Sequence, residues 1–488
     1  MCEEMKHPQH IIQFLLNDNL VEIDFSKSIE YKPTTTVLNY LRSLPGYKGV
    51  KEGCAEGDCG ACTVVLAEYN QNGTFSYKAV TSCLLFLPMI HGKQLITVEG
   101  LAEKNDDQWE LHPVQKEIVQ SFGSQCGYCT PGVVMSLFAL YKNHEKPSKT
   151  IINDALTGNL CRCTGYRPII EAAEKACDNF NGYQLTKQEK NAENIFKILG
   201  NLEKSLAIES QGQKYFRPVR LHDALSLIKK HTKAHIVTGG SDIAIKQTKN
   251  HEFLEEIIDI SGIRELKKHS EDQSNIYIGA GLSLEEVKTI VDNKIPELHH
   301  ILSYFGSLQI RNMATLGGNL GTASPISDTL PVLIARKAKV ILKNSNEERT
   351  LSIESFVKGY RKTGINPGEL IIRIVIPKST KEIIYKAYKL SKRKELDISS
   401  VSGAFRLQLD KEKKITDIAL VFGGMAEMPE RAVQTEMFLM GKKFERETIE
   451  AAMKILYDEF MPISDARASD IGRKLMARNL LMKFYNDI

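Results

Sequence analysis

The chain has 488 residues, 42% hydrophobic and 25% charged, an ordinary globular balance with room for three or four domains. Its net charge of +4 is spread over 64 basic and 60 acidic side chains, which argues against a nucleic-acid-binding protein. No apolar run is long enough to span a bilayer, and MCEEMKHPQH lacks the apolar stretch of a signal peptide. A cytoplasmic protein without membrane contact is therefore expected, and eight of its ten cysteines should serve as metal ligands rather than disulfides.

Residues 8–96 read as a small mixed domain. IIQFLLNDNLVEIDF suggests a hairpin turning at Asn17, Asp18 and Asn19, and Thr36 to Leu44 has helical spacing that ends at Pro45 and Gly46. TVVLAEY and FSYKAV read as strands joined by a turn at Asn70 to Gly73, with QLITVEG as a last strand. Between them lies CAEGDCGAC. Cys54, Cys59 and Cys62, with Cys83 further on, give the spacing of a plant-type [2Fe–2S] site. Gly53, Gly57 and Gly60 let the loop curl and turn its N–H groups toward sulfur. Four thiolates also suit zinc, but structural zinc sites usually pair their cysteines as two short-spaced couples, and this set is three plus one. Strands around one helix with a metal loop at the edge predict a ferredoxin-like β-grasp domain.

Residues 97–182 carry a second set, Cys126 and Cys129 in SQCGYCTPG and Cys161 and Cys163 in NLCRCTGYRP. Each pair precedes a helix opened by proline, Pro131 or Pro168. Two helix N-termini near one anionic cluster would stabilise it, which favours a second [2Fe–2S] cluster in an all-helical domain. The alternative is a zinc clip, for which one residue between Cys161 and Cys163 is an awkward chelate. Cys2 and Cys177 have no spaced partner and are not expected to ligate.

Residues 183–212 are polar and read as a linker, although IFKILGNLEKSLAI could form a short helix. Residues 213–379 alternate strands and helices. HIVTGGSDIAIKQTK predicts a strand, a Gly-Gly turn and a helix, and matches neither common nucleotide fingerprint. MATLGGNLGTASPISDTLPVLIA would expose many N–H and O–H donors to an anion, then enter a helix capped by Ser327 or Asp328. Residues 380–488 begin with strands, AFRLQL and ITDIALVFGGM, and turn helical near 434. RASDIGRKLMARNLLMKFYNDI has amphipathic helical spacing. No catalytic triad or metalloprotease helix is present, and no histidine pair has ligand spacing, so the chemistry expected is redox.

GCAEGDCGACTV, QCGYCTPG and GNLCRCTGYRPI together resemble the iron–sulfur portion of the molybdenum hydroxylases, the xanthine dehydrogenase family, and the likeness extends from about residue 9 to the end. It implies a multidomain α+β protein with a β-grasp ferredoxin-like domain, an all-α [2Fe–2S] domain, a vanillyl-alcohol-oxidase-like FAD-binding domain and a C-terminal α+β domain. It also implies FAD on the turn Ile236, Val237, Thr238, Gly239, Gly240, Ser241, Asp242 and Ile243, which would hold the pyrophosphate. Further contacts are implied at Thr315, Gly318, Asn319 and Thr322, with Asp328 near the adenosine end or the ribityl chain. Phe305 would lie near the isoalloxazine, and Ile371 and Lys389 against the cofactor. Gly240-Ser241-Asp242 departs from the family's Asn-Thr-Glu, which weakens the contact implied for Asp242.

Gln125, beside Cys126, would approach a molybdopterin held by another chain. The molybdenum-binding portion of the family would begin after Ile488. The chain is thus expected to be the small subunit of a split enzyme, paired with a large molybdopterin-binding subunit in a hetero-oligomer with two copies of each chain. Electrons from hypoxanthine or xanthine would pass through the clusters to FAD and then to NAD. The alternatives are the corresponding subunit of an aldehyde or N-heterocycle hydroxylase, or a standalone electron-transfer flavoprotein.

Overall fold

The computed structural model describes residues 10–69, 75–105, 108–178, 194, 204–380 and 382–488. The expected turn at Asn70 to Gly73, Cys2 and most of the expected linker lie outside them. The chain forms two compact units. One runs to Ile263 and includes Ser307–Ala314; the other comprises Arg264–Gly306 and Thr315–Ile488.

In the first unit, strands Ile11–Leu16 and Asn19–Asp24 form the expected hairpin, with Leu16 opposite Asn19. The sheet continues through Gln94–Ile96, Thr63–Tyr69 and Phe75–Thr81. Its one parallel pairing, Leu15 with Gln94, gives the β-grasp order. Helix Val37–Ser43 starts where the Thr36 hydroxyl accepts the Asn39 N–H at 3.2 Å, and it buries Val37, Leu38, Tyr40 and Leu41. The last strand stops at Ile96, and Val98–Gly100 is a short 3-10 turn rather than more strand.

The helical part of this unit contains Pro113–Gln120, Thr130–Asn143, Lys149–Leu156 and Arg167–Asp178. Thr130–Asn143 is buried from Gly132 to Leu140, as expected of a helix apolar on all sides. Pro131 and Pro168 each occupy the second helical position, where a missing N–H costs little.

One expectation about the middle of the chain needs correction. Leu206–Ser210, expected as linker and as the tail of a helix, is a strand paired antiparallel with Gln213–Arg217. The apolar run SLAI has too few residues before Gly212 for a helix, and as a strand it buries Leu206, Ala207 and Ile208. Residues 213–379 contribute to both compact units: 213–263 and Ser307–Ala314 belong to the first, the rest to the second.

Among the described residues the second unit holds two larger antiparallel sheets and a two-stranded one, Val357–Gly359 with Lys362–Thr363. In one, Leu370–Pro377 lies between Asn275–Gly279 and Lys339–Lys343. The other joins Ile383–Leu390, Val401–Leu409, Ile415–Gly423 and Glu430–Arg431. Three helices follow, Val433–Leu439, Arg446–Glu459 and Asp470–Asn486. The last buries Arg473, Ala477, Leu480, Leu481 and Phe484, a stripe at helical spacing that begins with a cation. Arg473 is 2% exposed and donates to Asp465 at 2.8 Å, to the Gly424 carbonyl at 3.0 Å and to the Ser400 carbonyl. Among the described residues, no helix is long and apolar enough to cross a membrane.

Burial tends to raise the Asp465 carboxyl, but hydrogen bonds from Arg473 and from the Ala468 and Arg467 N–H groups outweigh it and lower the pKa to about 2. A carboxylate whose folded pKa lies below its unfolded value stabilises fully above the unfolded value, about 3.9, and loses that contribution as pH falls toward 2. Asp465→Asn should therefore lower stability at pH 7 by on the order of 2 kcal/mol, less than for a fully enclosed pair because Asp465 is partly exposed. Urea unfolding at pH 7 and pH 2.5 should show the difference between the two proteins narrowing at the lower pH; a constant difference would remove the ion pair as its cause.

Candidate functional site

The first cysteine loop curls through left-handed backbone at Ala55, Gly57 and Gly60, with φ of 54°, 86° and 70°. That curl turns three N–H groups, of Glu56, Asp58 and Cys59, onto the Cys54 sulfur at 3.5, 3.3 and 3.4 Å. The Cys54 thiol is lowered to about 5, first by its hydrogen bond with Cys59 and then, against burial, by those N–H groups. Cys59 is raised in turn by Cys54 and by burial. Cys62 and Cys83, both 2% exposed, form the second couple: hydrogen bonding between them lowers Cys62 and raises Cys83.

The second set pairs in the same manner. Cys126 is lowered by the Tyr128 N–H and then by Cys163, which is itself raised by Cys126. Burial pushes Cys129 up to about 12, with Cys161 adding to the rise. Burial also raises Cys161, but the Thr164 hydroxyl at 3.1 Å and the Thr164 and Cys163 N–H groups outweigh it, leaving the thiol lowered. Cys129 is the N-cap of helix Thr130–Asn143, without a side-chain capping bond. Cys126 and Cys163 are exposed, as is the neighbouring Gln125.

Each set is thus two couples of thiols. Among the described residues, no three His, Cys, Asp or Glu side chains are grouped to hold a single metal ion. Two couples suit two bridged irons, each held by two cysteines; a closed tetrahedral zinc site would need all four at one point. Cys177 stands apart, buried in the helical core and raised by burial to about 11.

The two loops meet. The Leu160 N–H donates to the Cys59 carbonyl at 3.0 Å, and Asn159, 1% exposed, donates to the Gly60 carbonyl and to the Thr63 hydroxyl, each at 3.2 Å. A Cβ on Gly60 would lie 2.1 Å from the Gly158 carbonyl oxygen, and one on Gly132 would lie 2.1 Å from the Gly60 carbonyl oxygen. Sequence reasoning missed Ser136, Asn159 and Gln309 at this junction. The one available signal was Ser136, a hydroxyl inside the apolar run GVVMSLFAL.

In the same unit, strand His235–Val237 leads through Thr238, Gly239, Gly240, Ser241 and Asp242 into helix Ile243–Thr248. Ile236 is exposed, at 38%. Gly240 has φ of +75°, and a Cβ on Gly239 would lie 1.9 Å from the Met313 carbonyl oxygen, so the turn admits no side chain at Gly239. The turn is packed against the Met313–Ala314 backbone.

In the second unit, Thr315 caps helix Leu316–Thr322 by accepting the Gly318 N–H at 3.1 Å. Asn319 accepts hydrogen bonds from the Ser327 and Thr329 hydroxyls, and the Thr322 hydroxyl donates back to the Gly318 carbonyl. Lys389 and Asp328 form a buried ion pair at 2.8 Å. The Lys389 ammonium also reaches the Tyr304 carbonyl at 3.0 Å, next to Phe305, and Ser399 takes the other Asp328 oxygen. Ile371 lies 3.8 Å from the Cβ position of Gly321. Of the two expected caps for helix Thr329–Ala335, Ser327 makes the bond, from the Leu330 N–H, while Asp328 makes none. Both Asp328 oxygens are engaged within the protein.

Three family models match the chain in succession: the [2Fe-2S] binding domain at 97–174, the FAD binding domain in molybdopterin dehydrogenase at 208–379, and the CO dehydrogenase flavoprotein C-terminal domain at 386–488. Xanthine dehydrogenase of Emericella nidulans is 33% identical over 98% of this chain, and the xanthine dehydrogenase/oxidase of Mus musculus is 31% identical over 93%. The chain belongs to the molybdenum hydroxylase family. It spans 38% and 37% of those two relatives' lengths. Among solved structures, reconstituted CO dehydrogenase from Oligotropha carboxidovorans aligns with a TM-score of 0.52 at 25% identity, covering 57% of this chain and 96% of that one. Quinoline 2-oxidoreductase from Pseudomonas putida 86 shares the fold, with a TM-score of 0.51 at 22% identity over 56% of this chain and 96% of that one. In keeping with the family, the chain is an oxidoreductase component whose matched domains bind [2Fe–2S] and FAD.

Contact at Gly60 should be measurable in this chain. Gly60→Ala should lower unfolding stability by on the order of 2–3 kcal/mol, from left-handed strain plus overlap with Gly158. Gly46→Ala, at φ +81° but with nothing within 4 Å of its Cβ, should cost only about 1 kcal/mol. Equal losses in guanidinium titrations would mean that the junction contributes nothing beyond backbone strain.

Proposed function

We propose that this chain is the iron–sulfur and flavin subunit of a xanthine dehydrogenase-like enzyme, carrying electrons from hypoxanthine or xanthine oxidised on a molybdenum-bearing partner, by way of two [2Fe–2S] clusters and FAD, to NAD. The observation that carries this reading is the pairing of eight thiols into four couples, two couples in each loop system, in one compact unit with the glycine turn. When bound, the clusters accept single electrons and the flavin supplies two-electron hydride chemistry with the nicotinamide.

The chain's own residues would do the following. Cys54, Cys59, Cys62 and Cys83 would hold one cluster, and Cys126, Cys129, Cys161 and Cys163 the other. The N–H groups of Glu56, Asp58 and Cys59, aimed at the Cys54 sulfur, stabilise its thiolate and would tune the potential of that cluster. Ile236 through Ile243 would cradle the FAD pyrophosphate with backbone N–H groups. Thr315, Gly318, Asn319 and Thr322 would contact phosphate or ribose, while Phe305 and Ile371 would pack against the flavin. Lys389 is anchored by Asp328, so its ammonium would be held in place rather than free. Gln125, exposed beside Cys126, would face the molybdopterin of a large subunit, in an assembly with two copies of each chain in the cytoplasm.

Purified alone, the chain should contain four iron, four acid-labile sulfide and one FAD, and should oxidise NADH with a dye acceptor. It should oxidise xanthine only after a molybdopterin-bearing partner is added; purine oxidation by the isolated chain would place the substrate chemistry here and sink the proposal. Gly239→Val should abolish the dye activity by loss of FAD, because the branched side chain would overlap the Met313 carbonyl. Retained flavin in that variant would remove the turn from the binding site.

A further inference from the structure

Between Gly306 and Thr315 the chain leaves the second unit and joins the first. There Leu308–Arg311 forms one helical turn, started by the Ser307 hydroxyl accepting the Ile310 N–H at 3.2 Å. Its polar side chains point inward. Gln309 and Arg311 are both fully buried. Arg311 is held bidentately by Asp154 at 2.8 and 2.7 Å, which anchors the segment to the helical part.

Gln309 does something different. Its Nε2 lies 2.8 Å from the Ser136 hydroxyl, 2.9 Å from the Ala155 carbonyl and 3.1 Å from Asn159 Oδ1. Ser136 donates to the same Asn159 oxygen at 2.6 Å. Asn159 is thereby oriented so that its amide nitrogen faces the Gly60 carbonyl, between Cys59 and Cys62, while Leu160 and Cys161 follow it directly in sequence. Gln309 Oε1 is buried without a hydrogen-bond partner. An unpaired buried amide oxygen is unfavourable, and an apolar side chain of similar volume would avoid it, so the Nε2 bonds are what the carboxamide contributes.

Resting on the function proposed above, we propose that Gln309 is a positioning residue for both iron–sulfur loops. Through Ser136 and Asn159 it fixes the Gly60 carbonyl on one side and the Leu160–Cys161 backbone on the other. Cluster potentials follow the hydrogen bonds and burial around the ligand sulfurs, so one side chain outside both cysteine motifs adjusts both centres together.

The test compares Gln309→Leu and Ser136→Ala with the unaltered chain, each purified with its cofactors, by redox titration followed by EPR. Both variants should retain four iron and four labile sulfide per chain and the native circular dichroism. In Gln309→Leu both cluster signals should shift in potential, each by at least threefold in its reduction equilibrium, about 28 mV at 59 mV per tenfold for one electron. Ser136→Ala, which removes one link and little volume, should shift both in the same sense by a smaller amount. Arg311→Met, which loosens the anchor and leaves the relay atoms in place, should lower stability with less effect on either potential. Unchanged potentials in both relay variants at full iron content would overturn the proposal, as would a shift confined to one cluster. Failure of the underlying reading would look different: the unaltered chain would itself lack iron and labile sulfide.

Discussion

The first unit depends on three places where no side chain exists. Gly60, Gly132 and Gly158 let the ferredoxin-type loop, the start of a buried helix and the loop before Cys161 approach to backbone contact. Modelling a methyl at Gly60 or Gly132 brings it to 2.1 Å from a carbonyl oxygen, so the approach cannot survive substitution without moving a loop. Close approach alone would leave buried backbone groups unpaired. The Gly60 carbonyl accepts from the Thr63 N–H and hydroxyl as well as from Asn159, and the Cys59 carbonyl accepts from Leu160, so the approach leaves neither carbonyl unpaired.

Electrostatics separates the two cysteine sets in a way their spacing does not. In the first, Cys62 and Cys83 are almost fully buried, and the Cys54 sulfur collects three N–H groups. In the second, Cys126 and Cys163 are exposed. Burial disfavours added negative charge, whereas N–H donors and solvent favour it. The two sites therefore offer distinct environments to groups of one chemical type, and a difference in potential between them follows from the protein without any difference in ligands.

Legibility in the sequence followed the range of the interaction. The cysteine loops could be read because their ligands and glycines are local, and the β-grasp hairpin because Asn17 at its turn adopts φ of 54°, a conformation asparagine tolerates. Leu206–Ser210 could not be read, since a short apolar run pairs wherever a partner strand is available, and here the partner is Gln213–Arg217. The stripe on the last helix was visible, but its first member is a cation whose partners, Asp465, Gly424 and Ser400, lie 8, 49 and 73 positions away. Asn159 and Gln309 are 150 residues apart, and no periodicity connects them.

The same reasoning explains why residues 213–379 contribute to both compact units. A family match that runs continuously over 208–379 describes descent, whereas compactness describes where side chains find partners. Ser307–Ala314 finds its partners in the first unit: Arg311 on Asp154, Gln309 on Ser136 and Asn159, Ile310 beside Gly57, and the Asn312 amide on the Ala79 carbonyl at 2.9 Å. The Met313 carbonyl then fills the space next to Gly239. Eight residues thus touch both cysteine systems and the glycine turn. The Met313 backbone abuts the glycine turn four residues from the amide that orients Asn159.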